Sequence, residues 1–351
     1  MKLFFIMLVY LLIQSCSDNK PTQEETPASQ FLPPSALDTT LSLITINMAV
    51  GFDAERMITK DLTKPQLVLE EGLYLYNQLK ESMPNQRIKV LSDSIKGTMP
   101  DIVALQEVLL LINRHNSDTI DFINTLMKEL STDYAVITQV MNPLDIKVNT
   151  SDSISDSVNI YFHEGNAIIY KKSALSLITV DSLTYFFGIR NIKYLNTTIS
   201  ILRGAQYAKF SSTKGTFINV FNTHLEVESV PLLGMNQAFQ LNDYINYKVS
   251  NHEAVVIMGD LNNTANSSTL RVFKNGNFFD THSDPRELSC CYDIVNIDVP
   301  ATRRLDYVLA RYIVNVNNAT VRFYKPFTNI TNGLQYRISD HAAVSADLSF
   351  H

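Results

Sequence analysis

The stretch from Ala254 to Thr264, AVVIMGDLNNT, constrains the fold of this chain more than any other segment. Its first five residues are apolar and run directly into a Gly-Asp pair, which predicts a buried β-strand that ends in a loop. Alternation along an extended backbone places Asp260 and Asn262 on one side and Leu261 on the other. We therefore expect a carboxylate and a carboxamide together at a strand end, although Gly-Asp is also a common turn.

The rest of the chain has the pattern of many short strands and few helices. Strands are expected at residues 41–48, 102–105, 134–140, 165–170, 207–210, 216–221, 254–258, 304–309 and 339–348. Helices are expected from Pro65 through Met83, over residues 122–130 and over residues 238–249. Because no repeat or linker interrupts residues 41–351, the pattern predicts a single α+β domain with stacked sheets.

The amino terminus has the pattern of a processed and tethered segment. Eleven apolar residues at positions 3–13 are too few to cross a bilayer, which takes about 20, but are typical of a secretory signal. Cys16 follows in a context similar to a bacterial lipoprotein cleavage site. We expect a signal peptide over 1–15, lipidation of Cys16 and a proline-containing tether over 16–40. The alternatives are an ordinary signal peptide cut nearby and a retained anchor.

This terminus predicts an extracytoplasmic protein of the bacterial cell envelope, held to a membrane by its lipid, or else a secreted one. The formal net charge of −6 weighs against a general polyanion binder, because nonspecific affinity for nucleic acid comes from Lys and Arg. It leaves room for a nuclease that uses local basic loops and a metal ion. We expect a monomer.

Two further sequence features bear on the compartment and the site. Cys290 and Cys291 are adjacent, so we expect free thiols or a strained vicinal ring, with a packing role rather than redox chemistry. Asn262 begins an Asn-x-Thr sequon, and a glycan there would fill the predicted site. Because such a glycan would block the site, the sequon fits a bacterial chain better than a eukaryotic secreted one.

Polar side chains recur at the ends of the other predicted strands. They are Asn47, Glu107, His224, Asp306, Asp340 and His341. Each also has a simple structural explanation. Asn commonly forms turns, a Glu that follows a strand is often exposed to solvent, and a lone His is often a hydrogen-bonded group of the core. Together with the pair at the end of the central strand, they form a set of oxygen ligands and two histidines. Metal-assisted phosphoryl hydrolysis requires such a set.

Seven segments of the chain, in this order, resemble the endonuclease/exonuclease/phosphatase superfamily. They are ITINM, DIVALQEV, GNAIIYKK, FNTHL, IMGDLNNT, RRLDYVL and SDHAAV, and together they cover about residues 41–350. The superfamily includes pancreatic-type deoxyribonuclease, abasic-site endonucleases, inositol-polyphosphate phosphatases and neutral sphingomyelinases. The resemblance implies a four-layer α/β/β/α sandwich of two packed sheets flanked by helices.

The resemblance also implies a divalent cation, Mg²⁺ or alternatively Mn²⁺ or Ca²⁺. Glu107 in the LQEV segment matches the principal Mg²⁺ ligand of the superfamily. Asn47 matches a residue that positions the ion or its water, and Asp340 is a further metal contact.

Five residues match the superfamily's catalytic positions. His224 matches the histidine that hydrogen-bonds the phosphate, and Asp260 and Asn262 match the pair that orients the attacking water and binds a phosphoryl oxygen. His341 matches the second catalytic histidine, and Asp306 matches the acid that orients it. Negative charge accumulates on the phosphoryl oxygens during the reaction, so a cation and preorganised donors lower the barrier. Whether Asp260 or His341 removes the proton from water stays open at this stage.

The sequence constrains the identity of the substrate less than it constrains the type of reaction. The segment RGAQYAKF at 203–210 is similar to the strand before the NTH motif in sphingomyelinase-like members, and a lipid anchor would keep such an enzyme near membranes. The chain contains no Trp to anchor it at a membrane interface. We expect a phospholipid phosphodiesterase, with a deoxyribonuclease-type endonuclease, a phosphomonoesterase and a non-enzymatic adhesin as alternatives. Specificity is expected in rim loops at 149–159, 185–196 and 276–300.

Overall fold

The computed structural model describes residues 39–351, apart from 54–55, 57–58, 61, 115–116, 150–156, 188–189, 251 and 283. The predicted signal peptide, Cys16 and nearly all of the predicted tether lie outside the described residues. Within the described residues, no helix is both long and apolar enough to cross a membrane.

Two six-stranded sheets form the centre of the domain. The first consists, in spatial order, of β17 (Asn315–Arg322), β20 (Ala343–Phe350), β1 (Thr39–Asn47), β2 (Ile102–Gln106), β8 (Gly165–Lys171) and β5 (Tyr134–Val140). The second consists of β15 (Phe279–Asp280), β16 (Asp306–Arg311), β14 (Ala254–Asp260), β13 (Phe217–His224), β12 (Gly204–Ser212) and β9 (Leu175–Thr184). The pairs β1/β2 and β13/β14 are parallel, and the other neighbours in these sheets are antiparallel.

Smaller sheets and five helices complete the described part of the domain. A four-stranded sheet has the order β4 (Asp118–Asp121), β3 (Leu110–Asn113), β7 (Ser157–His163) and β6 (Leu144–Asn149). Two ribbons pair β10 (Arg190–Tyr194) with β11 (Thr197–Ile201), and β18 (Phe327–Thr328) with β19 (Gln335–Tyr336). The helices are α1 (Pro65–Glu81), α2 (Pro84–Thr98), α3 (Phe122–Leu130), α4 (Pro231–Lys248) and α5 (Ser268–Asn275).

Three apolar cores separate four layers of structure. The core between the two large sheets contains Leu43, Phe210 and Val256. Helices α1, α2 and α3 cover the outer face of the first sheet, and α4 and α5 cover that of the second. Every residue of β14 is buried because helices cover one face of the strand and the other sheet covers the opposite face, which explains its continuous apolar run. The four-layer α/β/β/α fold is confirmed.

The structure corrects two local predictions. The helix that begins at Pro65 was expected to reach Met83, but it ends at Glu81 because Met83 has a left-handed backbone (φ 54°). A second helix then starts at Pro84. The segment 149–159 was expected to be a loop, but its two ends are strand, because β6 runs to Asn149 and β7 starts at Ser157. Residues 150–156 lie outside the described residues.

Candidate active site

Strand register brings the predicted site residues of the second sheet into one row. His224 is the partner of Asp260 in the parallel β13/β14 pair, and Asp260 is the partner of Asp306 in the antiparallel β14/β16 pair. Gly259 permits this close pairing, because a Cβ there would lie 1.9 Å from the carbonyl oxygen of Thr223. The sequence of β14 thus fixes three polar side chains at one edge of a rigid sheet.

The first sheet contributes the opposite half of the floor. Asn47 pairs with Gln106 at the ends of β1 and β2, so Glu107 follows directly beside it. Asn47 Nδ2 donates to Glu107 Oε1 within this half (2.9 Å), and it also joins the two halves by donating to Asp260 Oδ2 (3.1 Å). His341 reaches the same place from the segment before β20.

These side chains lie at the bottom of a cleft of about 730 Å³. Its polar floor includes Glu107, His224, Asp260, Asn262, Asp340 and His341. Around them the lining contains further acids, among them Asp53, Glu164 and Asp293. Among the described residues it contains a single Arg or Lys side chain, that of Arg203. Apolar side chains of the small sheets form one wall. The cleft therefore combines a concentrated polar centre with an acidic and apolar surround.

Asp260 is the centre of the floor. It is 1% exposed, and its Oδ1 accepts a hydrogen bond from the backbone N–H of Asn262 (2.8 Å). Burial raises the pKa of Asp260 to about 7, against the opposing effect of nearby His341. A carboxyl group with a pKa near neutrality can both accept and release a proton at physiological pH.

His224 is held as a neutral donor. The guanidinium of Arg203 donates to His224 Nδ1 (2.9 Å), so the proton of the neutral imidazole is on Nε2. That atom lies 3.5 Å from Asp260 Oδ2, which can accept its proton. It also lies 2.8 Å from Asn262 Nδ2, which is itself a donor and donates to the carbonyl of Leu225 (3.0 Å). Burial, together with the positive charges of Arg203 and His341, holds the pKa of His224 well below its usual value.

His341 is held in the opposite state. Its Nδ1 donates to Asp306 Oδ2 (2.8 Å), which also accepts a bond from Ser289 Oγ (2.7 Å). Although burial acts against it, the negative charges of Asp306 and Asp260 raise the pKa of His341 well above its usual value. His341 Nε2 lies 3.7 Å from Asp260 Oδ2. The imidazolium therefore faces the same carboxylate oxygen as His224 Nε2.

A vicinal disulfide supports the His341 side of the floor. Cys290 and Cys291 are joined, as one of the two sequence alternatives predicted, and Cys290 is 4% exposed. The same segment is tied to the site by backbone bonds: Tyr292 N–H donates to the Asp340 carbonyl (3.0 Å), and Ala342 N–H to the Ser289 carbonyl (2.7 Å). The paired cysteines thus brace the backbone that carries Asp340.

Glu107, Asn47 and Asp340 form an oxygen-rich group on the first-sheet side. The backbone N–H of Val50 donates to Glu107 Oε2 (2.8 Å), which fixes the carboxylate at the cleft edge. Burial raises the pKa of Asp340, and the negative charge of Glu107 raises it further. Two carboxylates that repel each other in a buried, oxygen-lined cleft fit a hard divalent cation, which would offset that repulsion.

A second group also has the donors for a cation. Ligand atoms of Asp260, Asp306 and His341 all lie within 4.8 Å of one another. However, a protonated His341 Nδ1 that donates to Asp306 cannot coordinate a metal through that atom. The hydrogen-bonded arrangement fits an orienting acid and its histidine, so the group of Glu107, Asn47 and Asp340 suits the cation better.

Two of the site residues have a left-handed backbone. Glu107 has φ 54° and Asn262 has φ 51°. Asn tolerates this region well, but for Glu it is uncommon and costs about 1 kcal/mol or more. This conformation directs the Glu107 side chain into the cleft immediately after the buried strand. A regular strand conformation at this position would direct the side chain away from the cleft.

The structure brings all eight predicted catalytic and metal-binding residues to one cleft floor or to its immediate support. It also adds residues that sequence reasoning did not assign, chiefly Arg203 and Ser289. Arg87, fully buried within α2, donates to the carbonyls of Met48 (3.0 Å) and Ile338 (2.8 Å) and so links the backbones beside Asn47 and His341. Of these three residues, only Arg203 could have been identified from the sequence, because it begins the segment 203–210 that precedes the NTH motif.

One expected rim residue is not at the rim. Tyr185 is 1% exposed, and its hydroxyl is hydrogen-bonded to Thr223 Oγ1 (2.8 Å) inside the second-sheet core. Its neighbours Phe186 and Phe187 are 77% and 67% exposed, as a rim position requires. Part of the rim segment 185–196 is strand, since it includes β10.

Comparison with known proteins gives one family and several structural neighbours. The profile of the Endonuclease/Exonuclease/phosphatase family matches residues 76–341. A protein of that family from Bacteroides thetaiotaomicron is similar in structure, with a TM-score of 0.61, 13% identity, and coverage of 90% of this chain and 99% of that one. No curated protein matches the chain in sequence.

Two other neighbours have more specific names. The mannosyl-6-phosphatase Bt3783 from Bacteroides thetaiotaomicron has a TM-score of 0.55 and 12% identity, over 88% of this chain and 99% of that one. Truncated TDP2 from Caenorhabditis elegans has a TM-score of 0.53 and 17% identity, over 88% of this chain and 97% of that one. At these identities the likeness establishes a shared fold.

Proposed function

The chain belongs to the endonuclease/exonuclease/phosphatase family, whose members hydrolyse phosphoesters, and from this premise we propose that it is a divalent-cation-dependent phosphodiesterase. One observation carries the proposal. A buried carboxylate, Asp260, lies between a neutral histidine donor and a cationic histidine at the floor of an open cleft. Attack of water on phosphorus needs such an acceptor and such donors.

Asp260 is the proposed general base. In the cation-free protein His341 is held protonated and has no lone pair to offer, whereas the pKa of Asp260, about 7, suits proton transfer near neutral pH. Asn262 orients the attacking water together with Asp260. The remaining donors, His224 Nε2–H and His341 Nε2–H, contact the phosphoryl oxygens, where negative charge accumulates.

Arg203 and Asp306 are proposed as positioning groups. Arg203 fixes the His224 tautomer with its donor toward the substrate, and Asp306 orients His341 and keeps it charged. Mg²⁺, held by Glu107 and Asp340 with Asn47 beside them, would supply charge neutralisation at the phosphoryl group. Mn²⁺ or Ca²⁺ is compatible with the same oxygen donors.

The proposed substrate is a phospholipid, as in sphingomyelinase-like members. Arg203 is the sole Arg or Lys among the described lining residues of the cleft, and one wall is apolar. A nucleic-acid duplex requires a row of basic phosphate contacts. A single charged head group with an apolar remainder fits this lining better. Residues 1–40 further support an envelope lipoprotein anchored through Cys16, with the monomeric domain held near its substrate.

The test is a side-by-side assay with Mg²⁺ against sphingomyelin in mixed micelles, plasmid DNA and a phosphomonoester. We expect micellar turnover to exceed the other two, and to be lost in Glu107→Gln and with a chelator. Glu253→Gln is the matched control, because Glu253 lies at the other end of β14, bonded to Lys209 (2.8 Å). Faster nicking of DNA would favour the endonuclease alternative, and faster release of phosphate the phosphomonoesterase. No turnover of any phosphoester would overturn the proposal and leave the non-enzymatic adhesin.

A further inference from the structure

We infer that a small apolar pocket beside the cleft binds the alkyl or acyl chain of the substrate. The inference rests on the proposed function for the phosphate end of the ligand, while the pocket itself is defined by its own residues. It has a volume of about 70 Å³ and lies between α1 and the four-stranded sheet. Its apolar lining includes Leu62, Val68, Leu75, Leu79, Leu111 and Ile160.

The pocket adjoins the reaction cleft. Three residues line both: Phe52, Leu144 and Phe162. The rings of Phe52 and Phe162 are in contact, with centroids 6.1 Å apart, so they form the boundary between the two spaces. A ligand whose phosphate reaches the cleft floor would pass these two rings to enter the pocket.

The path from the floor to the boundary is apolar. Ile192 on β10 and Ile199 and Ile201 on β11 line the cleft wall together with Leu144, and Arg203 follows two residues after Ile201. This arrangement provides a cation at one end and hydrocarbon contacts along the rest. A chain attached to a phosphate would match both ends.

One polar atom in the pocket points to the same ligand class. The hydroxyl of Tyr194, which lines the pocket, is buried and has no hydrogen-bond partner among the described residues. A buried hydroxyl without a partner is costly, and most such groups are satisfied in folded proteins. An ester, amide or hydroxyl group near the start of a lipid chain would supply the missing partner.

A simple packing gap is the competing explanation, and chain length distinguishes the two. Binding of n-alkyl phosphates from methyl to octyl is measured by calorimetry on the full protein with Mg²⁺, below the micelle concentration of each. We expect affinity to rise by roughly fourfold for each methylene that enters the pocket, then to level off. Equal affinity across the series would overturn the inference.

Two matched substitutions locate the effect. Leu75→Phe fills the pocket and should flatten the dependence on chain length, whereas Leu69→Phe, equally buried on α1 but outside the pocket, should retain it. Val68→Leu is a smaller change that should only shorten the optimal chain, and it covers the case in which Leu75→Phe fails to fold. An unchanged dependence in both pocket variants would place the chain elsewhere and contradict the inference.

The phosphate-free n-alcohols separate this inference from the proposed function. If the alcohols show the same dependence on chain length and the alkyl phosphates gain nothing over them, the pocket stands and the phosphate site fails. If methyl phosphate binds and neither series depends on chain length, the phosphate site stands and the pocket fails.

Discussion

The two sheets each bring a histidine to within 3.7 Å of the same carboxylate oxygen of Asp260, and the two histidines differ in charge. His224, at the end of β13, is buried against Arg203, and its pKa is held well below the usual value. His341, just before β20, is equally buried but faces Asp306 and Asp340, and its pKa is held well above the usual value. Burial acts in the same direction on both.

The difference shows that neighbours, and not burial, assign the roles. A guanidinium as partner leaves an imidazole with one usable proton, whereas a carboxylate as partner stabilises the imidazolium. The central Asp260 is thereby flanked by one neutral and one charged donor.

The largest effects are expected from removing either histidine. His224→Ala and His341→Ala should each lower kcat by at least about a hundredfold, because each donor contacts a different oxygen. Steady-state kinetics on the preferred phosphoester is the measurement. His282→Ala is the control, since His282 is also 4% exposed but pairs with Glu287 away from the cleft. A near-normal rate for either variant would return that histidine to a structural role.

Asp306→Asn should lower kcat by a smaller factor, on the order of ten- to a hundredfold, because His341 stays in place but loses its charged partner. Removing that negative charge lowers the raised pKa of His341, so the high-pH limb of the rate profile should move to lower pH. Asp280→Asn, which removes a neighbouring acid paired with Arg304, should leave the limb unchanged. An unmoved limb in Asp306→Asn would contradict the assigned partner.

Arg203→Gln should lower kcat by a still smaller factor, about tenfold. The positive charge of Arg203 helps to lower the pKa of His224, so its removal should raise that pKa toward the usual value. His224 would then protonate at a higher pH, and titration of its imidazole signal by NMR in this variant should show that shift, while the low-pH limb of the rate profile, which Asp260 sets, stays in place. A fall in rate without that shift would mean that Arg203 only binds substrate.

The smallest prediction concerns stability in the cation-free protein. Because burial raises the pKa of Asp260 from 3.8 to about 7, its contribution to stability is present below about pH 4 and is lost as the pH rises through 7. Asp260→Asn removes that ionisation. Thermal unfolding in a chelator should therefore show the inactive variant a few degrees more stable than the wild type at pH 8, and not at pH 4. Equal shifts at both pH values would contradict the raised pKa.

Much of this floor follows from local sequence. The buried strand before Asp260, the apolar run before Glu107 and the hairpin that ends at His224 all have patterns that place a polar residue at a strand end. The α+β domain with stacked sheets follows from the many short strands and few helices, whereas the four-layer arrangement was implied by the resemblance to the superfamily. Local pattern therefore identifies which residues can belong to the site.

Register and long-range support do not follow from local sequence. Nothing near Asp260 indicates that it pairs with Asp306, 46 positions later. Arg87 lies in a helix where a guanidinium is ordinarily solvated, yet it is buried because backbone carbonyls of Met48 and Ile338, 39 and 251 positions away, accept its protons. Such partners are brought together only by the finished fold.

The opposite charge states of the two histidines are the feature on which the proposed mechanism most directly depends. Titration of the imidazole signals by NMR in the cation-free protein, with His224→Gln and His341→Gln for assignment, measures both pKa values. We predict that His341 stays cationic through pH 7 while His224 stays neutral to well below pH 6.5. Two histidines that both titrate near 6.5 would contradict the account.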